Sequence, residues 1–121
     1  MDVDQFVVSV NSERPEDLIA FYHDIVGLTP NPDAGPGAFM AGSSSFIALI
    51  IERHSGVRGA TKDPDRVMLN FLIHDLASEE SRLQSRGVTF VRTATEEPGF
   101  GIVATFVDPD GNHCQLMQLA S

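Results

Sequence analysis

The sequence predicts an α+β protein made of two βαβββ modules, and three observations carry that expectation. Period-two apolar runs and helical periodicity follow one another in the order strand, helix, three strands, and the order occurs twice. Ile25-Val26-Gly27-Leu28-Thr29 corresponds to Ser85-Arg86-Gly87-Val88-Thr89, and Phe46-Ile47-Ala48-Leu49 to His113-Cys114-Gln115-Leu116, as an internal duplication with unequal loops requires. Phe106-Val107-Asp108-Pro109-Asp110-Gly111-Asn112-His113 then joins two apolar runs through a turn in which Asp108 accepts backbone hydrogen bonds, Pro109 fixes φ and Gly111 relieves the exit.

Taken in order, Gln5 to Val10 reads as a strand with Phe6, Val8 and Val10 on the core face and Gln5, Val7 and Ser9 on the other. Asn11 or Ser12 supplies a capping side chain. Pro15, Glu16 and Asp17 suit a first helical turn, and Leu18, Phe21, Tyr22 and Ile25 recur at helical spacing. Gly27 offers a left-handed stop, which gives a helix over about 14 to 26. Pro30, Pro32, Gly35, Pro36 and Gly37 exclude regular structure except as a broken edge strand; Ala38 to Ala41 and Phe46 to Ile51 are strands around Gly42-Ser43-Ser44-Ser45. Arg53 to Asp65 is polar and unpatterned and reads as a linker. Val67 to Ile73 is a strand, Asp75 caps a helix carrying Leu76 and Leu83, and Gly87 stops it. Val88 to Val91, Ile102 to Val107 and His113 to Leu119 complete the second module. The expected layout is a single domain with module 1 at about 4–52, a linker at 53–65 and module 2 at about 66–120.

With 121 residues the chain can bury roughly two thirds of its unfolded surface, without disulfides. Its one cysteine, Cys114, sits in an apolar strand and reads as a buried thiol, which suits a cytoplasmic protein. The first residues lack the basic and apolar regions of a signal peptide, and no run approaches a membrane span. A net charge of −9 repels phosphate backbones and anionic membranes, so neither nucleic acid nor membrane is an expected partner; most of the acids serve caps, helix faces and turns.

The duplicated module, with Phe21-Tyr22-His23-Asp24-Ile25-Val26-Gly27-Leu28 closing the first helix and Asp108-Pro109-Asp110-Gly111-Asn112 before the last strand, resembles the vicinal oxygen chelate superfamily of glyoxalases, bleomycin-resistance proteins and extradiol dioxygenases. The resemblance covers nearly the whole chain. It implies curved mixed sheets around a cavity, helices on the outer faces and a homodimer. It also implies four metal-ligand positions, which fall on Gln5, Ala48, Met68 and Gln115. Ala48 and Met68 bring no oxygen or nitrogen donor, and two neutral amides are poor ligands for a divalent ion. No metal and no other cofactor is therefore expected; a divalent metal would enter only if the alignment were displaced.

Strand alternation places His113, Gln115 and Met117 on one face and Cys114, Leu116 and Gln118 on the other; Met68, Asn70 and Leu72 share the cavity face against Leu69, Phe71 and Ile73. His113 is the candidate general base or polar anchor, with a turn-adjacent, partly exposed histidine as the plain alternative. Gln5 and Gln115 are candidate ligand-binding amides. Phe39, Phe46, Ile50, Met68, Leu72 and Met117 line an apolar pocket or fill the core, Val7, Ser9, Ala48 and Asn70 share the cavity face, and Phe100 between glycines is a lid or a rigid hairpin tip. Cys114 faces the core and the serines at 43–45 occupy a turn without a paired base, which argues against nucleophilic catalysis. The expected function is binding of an aromatic or cationic small molecule without the family metal. The alternative is a lyase, isomerase or dioxygenase, with or without a metal.

Overall fold

The computed structural model of the protein describes residues 1–40, 42 and 46–120. Ala41 and the serines of the turn expected at 42–45 lie outside the described residues. The chain divides into two compact units, Met1–Gly59 and Ala60–Ser121.

In the first unit, β1 (Val8–Ser12) leads through α1 (Pro15–Ala20) to β2 (Ala38–Met40) and β3 (Ile47–Arg53). The sheet order is β1-β3-β2, with β1 parallel to β3 and β2 antiparallel to it. β1 starts later than the sequence suggests. Its ladder begins at Val8 beside Leu49, so Phe6 precedes the paired strand and is 81% exposed, whereas the reading of the sequence put it in the core. Ser12 is not a helix cap either: its Oγ accepts from Arg14 N at 2.9 Å, before the helix, and the N-cap position of α1 falls on Arg14 without a side-chain cap. Pro15 at the first helical position has no N–H to satisfy, which lessens the need for one.

The last turn of the first helix, Phe21–Val26, is wound as a π turn. Tyr22 O accepts from both Gly27 N (3.1 Å) and Leu28 N (2.9 Å), and Gly27 adopts the left-handed φ of 88° expected of it. Beyond it, Met40 N donates to Thr29 O and Asn31 N to Ala38 O, while Pro30, which has no N–H, faces Phe39 between those two bonds. Residues 29–31 are thus the broken edge strand.

The second unit runs β4 (Leu69–Leu72), α2 (Leu76–Ser85), β5 (Phe90–Glu97), β6 (Gly101–Val107) and β7 (His113–Leu119). Its sheet has the order β4-β7-β6-β5, with β4 parallel to β7 and the other pairs antiparallel. Replacing each strand by its counterpart gives the path of the first unit, β1-β3-β2 followed by residues 29–31. The α+β class and the two βαβββ modules stand. One strand is longer than expected: β5 continues past Val91 to Glu97, because two register shifts against β6 absorb extra residues without ending the ladder.

Asp75 caps α2 as expected, accepting from Ser78 N (3.2 Å) and Ser78 Oγ (2.8 Å). Gln118 Oε1 accepts Leu76 N at 2.8 Å, and at the other end Gly87 N and Val88 N close back on Gln84 O and Leu83 O. Leu76, Leu83, Phe106, Cys114 and Leu116 are buried, and the Phe106 ring lies 5.7 Å from Phe90 and 6.3 Å from Phe71 between centroids. Each such side chain contributes about 1.5 to 3 kcal/mol by leaving water. In the first unit Leu18, Tyr22, Phe39, Leu49 and Ile51 do the same.

Two predictions arise from this packing. A Cβ on Gly101, which holds φ at 148°, would stand 2.0 Å from Gln118 O in the neighbouring strand. Gly101→Ala should therefore cost about 3 kcal/mol or more and lower the melting temperature by roughly 10 °C, read by calorimetry. Hydrogen bonds from the Ser78 hydroxyl and backbone N–H hold the Asp75 carboxyl below its ordinary pKa of 3.8. A depressed folded-state pKa gives stability that is present above the unfolded value and lost as pH falls through the folded one. Denaturant titrations should accordingly find Asp75→Asn less stable than the parent at pH 6, with the gap closing as pH drops below 3.8.

Candidate functional site

The turn before β7 sets the geometry of the second unit's open sheet face. Asp108 is buried, and its Oδ1 accepts from Asp110 N and Asn112 N while Oδ2 accepts from Asn112 Nδ2, all at 2.9 Å. Gly111, at φ 84°, sends its N–H to Asp108 O. With the turn closed, β6 and β7 pair in one register from Val107 opposite His113 to Gly101 opposite Leu119.

That register puts Gln115 beside Thr105 of β6 and Asn70 of β4, and Thr105 beside Arg92 of β5. One polar residue from each strand therefore forms a row across the whole sheet, roughly 14 Å long at the usual strand spacing of about 4.8 Å. The next row on the same face is Leu72, Met117, Val103 and Thr95, three of them apolar. The opposite face carries Leu69, Phe71, Cys114, Leu116, Ala104 and Phe106, and meets α2 through Gln118. The parity read from the sequence for Asn70, Leu72, His113, Gln115 and Met117 is the parity of the ladder; Met68 lies just ahead of β4 and is half-buried.

His113 is held from two sides by the segment read as linker. Its N–H donates to Pro64 O (3.2 Å) and its Nδ1 lies 2.6 Å from Asp65 Oδ1. A carboxylate only accepts, so Nδ1 carries the proton and Nε2 is left as an acceptor on the neutral ring. The His113 side chain is 19% exposed and that of Asp65 70%. Thr61 N also donates to Asp110 O, so residues 61–65 are docked on the β6–β7 turn.

In the first unit Ser9 of β1, Ile50 of β3 and Ala38 of β2 stand side by side, with Ala48 one step along the same face and Val7 just before β1. Gln5 is exposed, and its Nε2 donates to Ile47 O at 2.6 Å, which uses one of its amide donors. Phe46 is exposed ahead of β3. Phe39 is a correction: its register partner is Leu49, it is completely buried with Leu49 and Ile51, and it belongs to the core instead of the cavity lining. Phe100 sits at the tip of the β5–β6 hairpin with its N–H on Glu97 O (3.0 Å) and its carbonyl accepting Ala120 N (2.8 Å), the arrangement of a rigid tip.

Two members of this face, Arg92 and Thr105, and the Asp65 partner of His113 are absent from the sequence-based site. Ending the strand at Val91 leaves out Arg92, although Val91, Thr93 and Thr95 are β-branched and could signal its continuation. Arg92 pairs with Glu97 further along the same strand. Nothing in the sequence links Asp65 to His113.

The metal set implied by the resemblance does not fit these residues. Ala48 has no donor, Met68 offers a thioether, and the Gln5 amide is already engaged with Ile47 O. Among the described residues no three His, Cys, Asp or Glu side chains are grouped to hold an ion.

No curated protein matches the chain. Among solved structures the chain is similar to TnmS3, an antibiotic-binding protein from Streptomyces sp. CB03234 (TM-score 0.74, 24% identity, 99% of each chain covered). It is also similar to a member of the glyoxalase/bleomycin resistance protein/dioxygenase superfamily from Sphaerobacter thermophilus DSM 20745 (TM-score 0.72, 17% identity, covering 97% of this chain and 98% of that one). A lactoylglutathione lyase from Agrobacterium tumefaciens has a TM-score of 0.69 at 13% identity, with 97% and 94% covered. At these identities the likenesses speak to the fold. The sequence itself matches the family model of the glyoxalase-like domain over residues 6–117, and with the two βαβββ modules in place the chain belongs to that family.

Proposed function

We propose that the protein binds a small molecule, a drug or metabolite, on the open face of its second sheet and sequesters it without the family metal. The observation that carries this reading is that Asn70, Gln115 and Arg92 lie directly beside Leu72 and Met117 on one face, with Thr105 and Val103 buried between the strands that carry them. A ligand needs both: apolar surface for affinity and a few fixed polar groups for orientation. The antibiotic-binding protein of similar fold is consistent with it. So is the donor set, which is poor for a metal but suited to an amide, carbonyl or hydroxyl.

No helix among the described residues is long and apolar enough to cross a membrane. The lone, buried thiol of Cys114 is what supports a cytoplasmic location in this reading. We further propose a homodimer, which would cover the exposed Phe6 and Phe46 in one unit and Val67, Leu72 and Leu119 in the other. Sedimentation at micromolar concentration should then give twice the chain mass of 13.1 kDa; a single-chain mass would refute the dimer.

A thermal-shift screen of small aromatics, drugs and divalent ions, followed by calorimetric titration of the best compound, tests the binding reading. Gln115→Leu should weaken that compound by about 1 to 3 kcal/mol with little change in melting temperature, since the half-buried amide supports no core packing. Cys114→Asp should do the opposite, unfolding a fully buried position without contacting the ligand. Reversal of the two effects would refute the face assignment.

A second reading rests on His113. Its Nδ1 is oriented by Asp65 and its Nε2 is left as an acceptor, the arrangement of a general base in a metal-independent lyase or isomerase. Turnover of a bound compound that His113→Gln abolishes without loss of affinity would establish this reading in place of sequestration.

A further inference from the structure

The placement of Arg92 runs against simple strand alternation. Phe90 pairs with Phe106 on the helix-facing side, and two residues later Arg92 would normally share that side. A register shift between them sets Arg92 opposite Thr105 instead, which turns the guanidinium to the open face. A second shift, between Arg92 and Thr95, adds another residue, and there Ala94 N donates to Glu80 Oε2 of α2 at 2.6 Å. Two bulges, one pinned by a helix carboxylate, aim this one side chain.

On the open face Arg92 meets Glu97, whose register partner is Gly101. The two side chains are 38% and 43% exposed, and an ion pair so open to water adds little to stability. One guanidinium nitrogen, Nη2, contacts one carboxylate oxygen, Oε1. Of the five N–H donors of the fork, the rest have no partner among the described residues. The same holds for the side chains of Asn70, which is exposed, and Gln115, which is half-buried; Thr105 between Gln115 and Arg92 is buried. The row is rich in unused donors, and it ends in the cation.

We propose, building on the binding function above, that Arg92 receives an acidic group of the ligand, a carboxylate or ionised phenol, and that Glu97 is its internal stand-in until the ligand arrives. The planar fork matches a carboxylate in two parallel hydrogen bonds, which Glu97 does not supply from its position. The apolar body of the acid then lies along Met117 and Leu72, with Gln115 and Asn70 donating to further oxygens on its edge. The net charge of −9 opposes approach of an anion only over a screened distance of about 10 Å, beyond which salt removes it, whereas Arg92 acts at contact.

Calorimetric titration of 2-naphthoate, its neutral amide 2-naphthamide and the cation 2-naphthylmethylammonium against the intact protein tests this. The parent should favour naphthoate over naphthamide by about tenfold. Arg92→Lys should retain part of that preference and Arg92→Met none, with circular dichroism confirming that both are folded. Glu97→Gln, which removes the competitor and keeps the shape, should tighten naphthoate several-fold and leave naphthamide unchanged. Equal binding of acid and amide, tighter binding of the cation, or a Glu97→Gln variant that weakens naphthoate would overturn the assignment of Arg92 while leaving the binding function standing. Failure of all three probes to bind would overturn both.

Discussion

The buried carboxylate of Asp108 is the contact on which the second unit depends. A charged oxygen pair removed from water must find donors, and the turn supplies them from Asp110, Asn112 and the Asn112 side chain. Because those donors come from the turn itself, the carboxylate fixes how many residues separate β6 from β7, and with it the register of the longest ladder in the chain. A slip of one residue would exchange Gln115 for Cys114 and His113 for a core position. The same turn receives Thr61 at its Asp110 carbonyl, so the segment that brings Asp65 to His113 is anchored beside it.

Duplication and divergence are both visible in the sheets. β1-β3 and β4-β7 are equivalent parallel pairs, with Val8 beside Leu49 where Phe71 is beside Leu116. That equivalence places Ala48 where the other unit has Gln115, and Gln5 where it has Met68. The fold has kept the frame that members of this family use, while the side chains on it have become amides, a thioether and a methyl. An alanine and a thioether at two of those positions are poor partners for a hard divalent ion, whereas the two amides can donate and accept hydrogen bonds. In the second unit the polar row also has a charged end, Arg92, set opposite Thr105 by the register shifts in β5.

Most of the elements were legible because their causes are local. Gly27 and Gly87 stop helices through their own backbone freedom, Asp75 caps through its own carboxylate, and Pro30 breaks an edge strand because it has no N–H. Alternation sorted Cys114 and Leu116 from Gln115 and Met117, since a strand has two faces and one of them must be buried. Phe6 and Phe39 were misplaced for a common reason. Their environments depend on where a neighbouring strand begins, or on which strand lies alongside, and alternation within one strand carries no information about either.

The sequence by itself determined the α+β class, the repeated module and the turn at Asp108. The turn and each element are properties of residue type and of spacing over fewer than about a dozen positions, and the repeat is the recurrence of those local patterns in the same order. The tertiary structure alone decided that Asp65 orients His113 from 48 residues away and that Arg92 faces the open side of the sheet with Glu97. The physical reason is the same in both cases. A register shift or a docked segment is selected by the hydrogen bonds of the strands it meets, so the direction of a side chain there is set by its partners across the sheet.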